Sequence, residues 1–167
     1  MKRVLVRLER CLGCHTCELA CAVAHSKAGT LPGAVLGGER PPIYIKVEQG
    51  GNLRFPAQCR HCTDAACIHA CMSGALHRNE ESGVVLCDQN KCVGCWMCVM
   101  TCPFGAISES LTHKAAKCDL CYDIGDPRCA AACPTGALSY EEVGSYDQTR
   151  RKEFIVNYLI SEMKGAM

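Results

Sequence analysis

The sequence predicts an α+β fold of small cysteine-bound modules, with short hairpins and a C-terminal helix. Three observations lead there. Sixteen of the 17 cysteines fall into four runs of four. A short unit built on Cys-Pro-x-Gly-Ala recurs after the runs. The stretches between runs alternate apolar and polar side chains until the final segment, which changes to helical spacing.

Taken in order, Val4, Val6 and Leu8 alternate with Arg3, Arg7 and Glu9, the period of a half-buried strand. Run one follows as Cys11-x2-Cys14-x2-Cys17-x3-Cys21. The stretch from Ala28 to Pro42 is rich in Gly and Pro and reads as a surface connection. Ile43, Ile45 and Val47 alternate with Tyr44, Lys46 and Glu48 as a second strand. Run two is Cys59-x2-Cys62-x4-Cys67-x3-Cys71. Val84-Val85-Leu86-Cys87 follows Glu81-Ser82-Gly83 and reads as the return strand of a hairpin starting near Ala75. Run three is Cys92-x2-Cys95-x2-Cys98-x3-Cys102, and run four is Cys118-x2-Cys121-x7-Cys129-x3-Cys133. Thr149 to Lys164 is the predicted helix, with Phe154, Ile155, Tyr158, Leu159 and Met163 on one side.

The runs belong to an internal repeat. Cys102-Pro103-Phe104-Gly105-Ala106-Ile107 and Cys133-Pro134-Thr135-Gly136-Ala137-Leu138 are two copies. Cys71-Met72-Ser73-Gly74-Ala75-Leu76 is a third, with Met in place of Pro. Run one departs from the pattern, with Cys21-Ala22-Val23-Ala24-His25.

Composition says what these cysteines are for. The chain has 167 residues but only three Phe and one Trp, too few aromatics for a self-sufficient core. The start, Met1-Lys2-Arg3-Val4-Leu5-Val6-Arg7, has no long apolar h-region, and no apolar run approaches the ~20 residues needed to span a bilayer. Both points set the expectation of a cytoplasmic protein, where cysteines serve as metal ligands rather than in disulfides. C-x2-C-x2-C-x3-C-P is the spacing of bacterial [4Fe–4S] ferredoxins. Three thiolates come from one tight loop; the fourth corner faces away, and in two-cluster ferredoxins a cysteine of the other run fills it. Zinc favours paired C-x2-C units instead, and the C-x3-C-x2-C of radical enzymes with an open iron occurs in no run. The formal net charge of +1 counts thiols as neutral; with four clusters bound it falls to roughly −7. That excludes a nucleic-acid partner. Arg60, Arg78, Lys91, Lys114 and Lys117 read as local compensation for cluster charge.

The segments Cys17-Glu18-Leu19-Ala20-Cys21-Ala22-Val23-Ala24-His25-Ser26, Gln58-Cys59-Arg60-His61-Cys62, Gly94-Cys95-Trp96-Met97-Cys98 and Lys117-Cys118-Asp119-Leu120-Cys121 carry a resemblance. Together with the wider spacing of runs two and four, they resemble the four-cluster iron–sulfur subunits of the molybdopterin oxidoreductases, including those of dimethyl sulfoxide reductase, formate dehydrogenase and nitrate reductase. Within that family the chain looks most like the small type of carbon monoxide dehydrogenase electron-transfer proteins and tungsten aldehyde oxidoreductase small subunits. The resemblance spans residues 3 to about 142.

It implies two nested bacterial ferredoxin-like modules. The outer comprises residues 1–50 and 113–146 with runs one and four; the inner comprises 51–112 with runs two and three; 147–167 is a helical extension. It implies four [4Fe–4S] clusters. Cluster one takes Cys11, Cys14, Cys17 and Cys133, and cluster two takes Cys118, Cys121, Cys129 and Cys21. Cluster three takes Cys59, Cys62, Cys67 and Cys102, and cluster four takes Cys92, Cys95, Cys98 and Cys71. Spacing alone supports the inner pair, because the short stretch between Cys71 and Cys92 suits one hairpin; it leaves the outer pair open. Two fourth ligands, Cys71 and Cys21, lack the following Pro.

No G-x-G-x-x-G, no phosphate-binding loop and no nucleophile–base pair occurs. The expectation is a non-catalytic subunit passing single electrons between a catalytic oxidoreductase subunit and a second redox subunit. The catalytic partner is carbon monoxide dehydrogenase, or a tungsten or molybdenum aldehyde or formate oxidoreductase. A higher-order assembly is compatible with this. The alternative is a freely diffusing polyferredoxin, and a zinc-stabilised scaffold is a remote third. Cys87 reads as a buried free thiol. His15, His61 and His69 read either as hydrogen-bond donors that tune a cluster or as polar loop residues. Trp96 reads as a shield against water or as part of the electron path, and the helix either docks a partner or packs on its own body.

Overall fold

The computed structural model describes residues 2–38 and 40–165, with side chains described as far as Ser161. Its sheets are four separate antiparallel pairs. β1 (Lys2–Val6) pairs with β8 (Leu138–Glu142), from Lys2 opposite Glu142 to Val6 opposite Leu138. β2 (Ile45–Gly50) and β3 (Leu53–Gln58) form one hairpin. β4 (Leu76–Arg78) with β5 (Val85–Cys87), and β6 (Ile107–Glu109) with β7 (Ala115–Lys117), form two shorter ones. The helices are α1 (Thr16–Ala24), α2 (Leu31–Leu36), α3 (Ala66–His69), α4 (Met97–Thr101), α5 (Arg128–Ala131) and α6 (Val143–Gly165).

The repeat explains where the strands start. Each copy turns at a glycine with positive φ: Gly74 at 64°, Gly105 at 57° and Gly136 at 63°. In each, the glycine N–H donates to the carbonyl of the cysteine three residues earlier, at 3.1, 3.3 and 3.4 Å. No neighbour crowds these glycines, so the backbone angle alone selects them. The Ala and the Leu or Ile that follow run into the interior: Ala75, Leu76, Ile107, Ala137 and Leu138 are all buried. A cysteine, a tight turn and a buried strand start are thus one unit used three times.

β1–β8 pairing joins the two ends of the folded body, and α1 packs on α5, so run one meets run four. α3 packs on α4, so run two meets run three. The β2–β3 hairpin crosses the boundary expected at 50/51, and the β6–β7 hairpin crosses the one at 112/113. The core is small. One buried cluster gathers Val4, Cys17, Cys21, Ile45, Val84, Leu120, Cys129 and Leu138; a second gathers Leu76, Cys98, Ile107 and Ala115. Cysteines stand in both where larger apolar side chains would be found in an ordinary domain.

Two elements differ from the sequence expectation. The connection 28–42 contains α2, started by Thr30, whose Oγ1 accepts the Gly33 N–H at 3.4 Å, with Pro32 in the first turn. Both features favour a helix N-terminus; Leu31, Val35 and Leu36 nevertheless stay exposed. The final helix begins at Val143 rather than near Thr149. It is tied down mainly through its first half. Tyr146 donates its hydroxyl to the Val6 carbonyl at 3.1 Å, Arg7 pairs with Glu153, and Arg150 pairs with Glu9. Beyond that, Phe154, Ile155, Val156, Tyr158, Leu159 and Ile160 are exposed, Phe154 to 70%. The side chain of Met163 lies outside the described residues.

Because α6 adds little to the body, a chain ending at Glu142 should keep the β1–β8 ladder and bind as much iron as the full chain, by elemental analysis. Loss of the iron on truncation would place the helix in the core.

Candidate metal centres

Three small cavities are each lined by cysteines from more than one run. Cys21 shares the first with Cys118, Cys121 and Cys129. Cys71 shares the second with Cys92, Cys95 and Cys98. Cys133 shares the third with Cys11, Cys14 and Cys17. In a fourth grouping, Cys67 is within electrostatic reach of Cys59 and Cys102. The loop holding Cys62 is fixed by Arg78, which donates to the carbonyls of Cys62 and Thr63. No two of the seventeen cysteines are joined in a disulfide.

Backbone geometry turns the loops toward these points. Runs one and three place Gly13 and Gly94, both at φ 69°, just before their second cysteine. Runs two and four place His61 (φ 48°) and Leu120 (φ 61°) at the same position. A side chain in this region is strained and is held only where the surroundings require it. Here the left-handed turn aims an N–H at sulfur: His61 donates to Cys59 Sγ and Leu120 to Cys118 Sγ, each at 3.4 Å. Just after the second cysteine, His15 and Trp96 are left-handed again and start α1 and α4. Gly94 also has a steric reason, since a Cβ there would lie 2.4 Å from the His113 carbonyl oxygen.

Further N–H groups reach sulfur from outside the loops. Tyr44 donates to Cys21 at 3.3 Å, and Leu76 to Cys71 and Ala115 to Cys92 at 3.4 Å. Such donors stabilise charge on sulfur. Burial pushes the Cys71 and Cys133 thiols up, but N–H groups from Leu76 and Leu138 and hydroxyls of Ser73 and Thr135 more than offset it, leaving both below the ordinary thiol value. Burial dominates deeper in. It pushes Cys17 up to about 11 and Cys129 up to about 12, and raises Cys118 well above its usual range. Burial of this kind disfavours a bare thiolate. A donor set of four sulfurs with converging N–H groups fits an iron–sulfur cluster.

The remaining predicted residues separate clearly. His15, just before α1, is exposed and bonded to Glu18 Oε2 at 3.0 Å, and His69, at the end of α3, is exposed and bonded to Asp64 at 2.9 Å; both have acidic partners. His61 is buried. Trp96 lines the Cys71 cavity, and so does Cys87, which is half-buried. Burial and the neighbouring Cys92 and Cys98 thiols push Cys87 up to about 12. Lys117 is buried, its Nζ donating to the carbonyls of Val85 (2.5 Å) and Cys118 (2.7 Å). Lys91 pairs loosely with Asp88, Lys114 donates to the Gln89 carbonyl, and Arg60 lies over the Phe55 ring. One residue escaped the sequence reading. His25 lines the Cys21 cavity, its Nδ1 2.8 Å from the Cys21 carbonyl oxygen and 3.7 Å from Sγ, and its Nε2 3.2 Å from Asp119. Burial disfavours its charge, but Asp119 and Cys21 prevail and raise it to about 11. The available signal was its place four residues after Cys21 on a helix, which puts both on one face.

Residues 52–143, more than half of the chain, match the family model described as a 4Fe-4S dicluster domain. An iron-sulfur protein of Rhodospirillum rubrum is 40% identical over 87 residues, covering 52% of this chain and 45% of that protein. The electron transport protein HydN of Escherichia coli is 36% identical over 92 residues, covering 55% and 50%. The thiosulfate reductase electron transfer subunit PhsB of Salmonella typhi is 33% identical over 93 residues, covering 52% and 44%. The chain thus spans about half the length of the curated relatives it matches. Among solved structures, the active site complex BamBC of benzoyl coenzyme A reductase aligns with 96% of this chain and 89% of that chain, at 19% identity and a TM-score of 0.46. That likeness is too loose to carry an argument.

Two substitutions in the Cys71 cavity should behave oppositely. Cys87→Ser should leave iron content unchanged, whereas Cys95→Ser should lower it by about four iron atoms per chain; a loss with Cys87→Ser would put that thiol among the ligands. Gly94→Ala should destabilise the metal-loaded protein by about 1–3 kcal/mol or more in thermal melts, with no change if the loop relaxes freely.

Proposed function

The chain belongs to the 4Fe-4S dicluster domain family, and from that premise we propose that it is the electron-transfer subunit of an oxidoreductase, holding four [4Fe–4S] clusters. The observation that carries this reading is the set of three cavities, each of which brings three cysteines of one run together with the last cysteine of another. The first cluster is assigned to Cys11, Cys14, Cys17 and Cys133, and the second to Cys118, Cys121, Cys129 and Cys21. The third is assigned to Cys59, Cys62, Cys67 and Cys102, and the fourth to Cys92, Cys95, Cys98 and Cys71. The two outer runs and the two inner runs then form nested modules.

When bound, each cluster supplies a one-electron redox centre whose potential follows from hydrogen bonds and exposure. The protein holds these centres at different depths. Cys14 and Cys95 are exposed, so the first and fourth sets reach the surface; Cys21, Cys121 and Cys129 of the second set are buried. An entry at one surface set and an exit at the other makes a path through the interior. Leu12 and Val93, exposed beside these two loops, offer apolar contact for partners that bring their own redox centre close.

Two kinds of partner follow: a catalytic subunit and a second redox subunit. The names of the relatives, an electron transport protein and a thiosulfate reductase electron transfer subunit, agree with this role. Carbon monoxide dehydrogenase, or a tungsten or molybdenum aldehyde or formate oxidoreductase, remains the proposed class of catalytic partner. The exposed apolar residues of α6 favour a fixed subunit over a free carrier, since a contiguous apolar surface of this kind marks an interaction site. Among the described residues no helix is long and apolar enough to cross a membrane.

Anaerobically purified protein should contain about 16 Fe and a similar amount of acid-labile sulfide per chain. Fully folded protein carrying about four zinc ions instead would overturn the reading. Removing 143–167 should weaken co-purification with the catalytic partner while leaving the iron in place.

A further inference from the structure

His61 is 2% exposed, on the loop between Cys59 and Cys62. The Val85 N–H donates to its Nδ1 at 3.1 Å. A ring nitrogen that accepts carries no proton, so the imidazole proton resides on Nε2. That Nε2 is buried and, among the described residues, has no hydrogen-bond partner. Its polar neighbours are satisfied: Gln58 donates to the Val4 carbonyl at 3.1 Å, and Lys117 to the carbonyls of Val85 and Cys118. Buried polar side chains left without a partner are rare and point to a group not yet counted.

Two connections place this histidine between the second and third cysteine sets. Val85 donates to His61 and accepts from Lys117, the residue before Cys118. Cys59, two residues before His61, also lines the cavity of Cys21, Cys118, Cys121 and Cys129. The equivalent positions of the other runs are Gly13, Gly94 and Leu120, none of which has a side-chain donor. We propose that the Nε2–H of His61 donates a hydrogen bond to a sulfur where the second and third clusters adjoin, and so tunes the potential there. This rests on the four-cluster reading. A donor to sulfur favours the more negative, reduced state, so it raises the potential of the cluster that accepts it. His61 is then a positioning and tuning residue, which sets one step of the path apart from its neighbours.

The test uses the full chain, purified anaerobically with histidine ¹⁵N-labelled in the imidazole ring only, so that the His61 backbone N–H on Cys59 Sγ gives no signal. Iron analysis of the unsubstituted protein comes first; a value far below four clusters would end the four-cluster reading itself. With iron in place, pulsed EPR of the reduced protein should show a ¹⁵N coupling that disappears in His61→Met. Redox titration of that variant should show one midpoint potential lowered at unchanged iron content. His61→Gln, which returns an N–H near the Nε2 position, should restore part of the shift. Potentials in His61→Met that superimpose on the unsubstituted protein would overturn the proposal and assign Nε2–H to an ordered water. So would an equal shift in the Met and Gln variants. If His61→Met fails to assemble, recovery of iron in His61→Gln supports the donor, and failure of both overturns it.

Discussion

Four thiols must meet at one point, and the chain has to arrange this several times over with little else to fold around. Its two buried clusters hold twelve of the described residues, four of them cysteines; Val85, Pro56 and Pro127 are the largest fully buried side chains. A core of this kind supplies little hydrophobic stabilisation. The thiol–metal bonds therefore take the place of a core, as in other small metal-dependent domains. The strand pairs are correspondingly short and separate. They act as clips that bring the ends of runs together: β1–β8 for the outer runs, β4–β5 for the inner ones, and β6–β7 between runs three and four.

The same requirement explains the strained backbone. Left-handed residues recur beside the second cysteine of each run, some of them Gly and some His, Leu or Trp. At His61 and Leu120 the turn points an N–H toward sulfur. The strain and the function have one cause, a loop wound around an anion. Where the side chain at such a position is large, it is also buried or lines a cavity, as His61, Leu120 and Trp96 are. These side chains can therefore distinguish one centre from the next in a chain of otherwise similar loops.

Much of this was legible in the sequence because its signals are local. The alternation around Val4 and Val6 corresponds to β1, and the turn before Val84 corresponds to the β4–β5 hairpin. Cysteine spacing marked the loops that bring cysteines to the three cavities. Long-range information was not legible. Nothing in the spacing ties Cys17 to Cys133; a family resemblance supplied that grouping, because β1–β8 pairing joins residues far apart in sequence. The fate of α6 was equally hidden, since helical periodicity does not say whether Phe154 and Tyr158 face the body or solvent. His25 and His61 were missed or left open for a similar reason. Their roles come from Asp119 and Val85, distant residues that only the fold brings near.

The central claim is that each metal centre draws its fourth cysteine from a different run. Anomalous scattering at the iron edge, on crystals grown without oxygen, tests it most directly. The account predicts four discrete iron–sulfur peaks, one at each cysteine grouping, with Cys21, Cys71, Cys102 and Cys133 each bonded to the centre of the opposite run. Fewer peaks, or centres ligated wholly by the four cysteines of a single run, would contradict it.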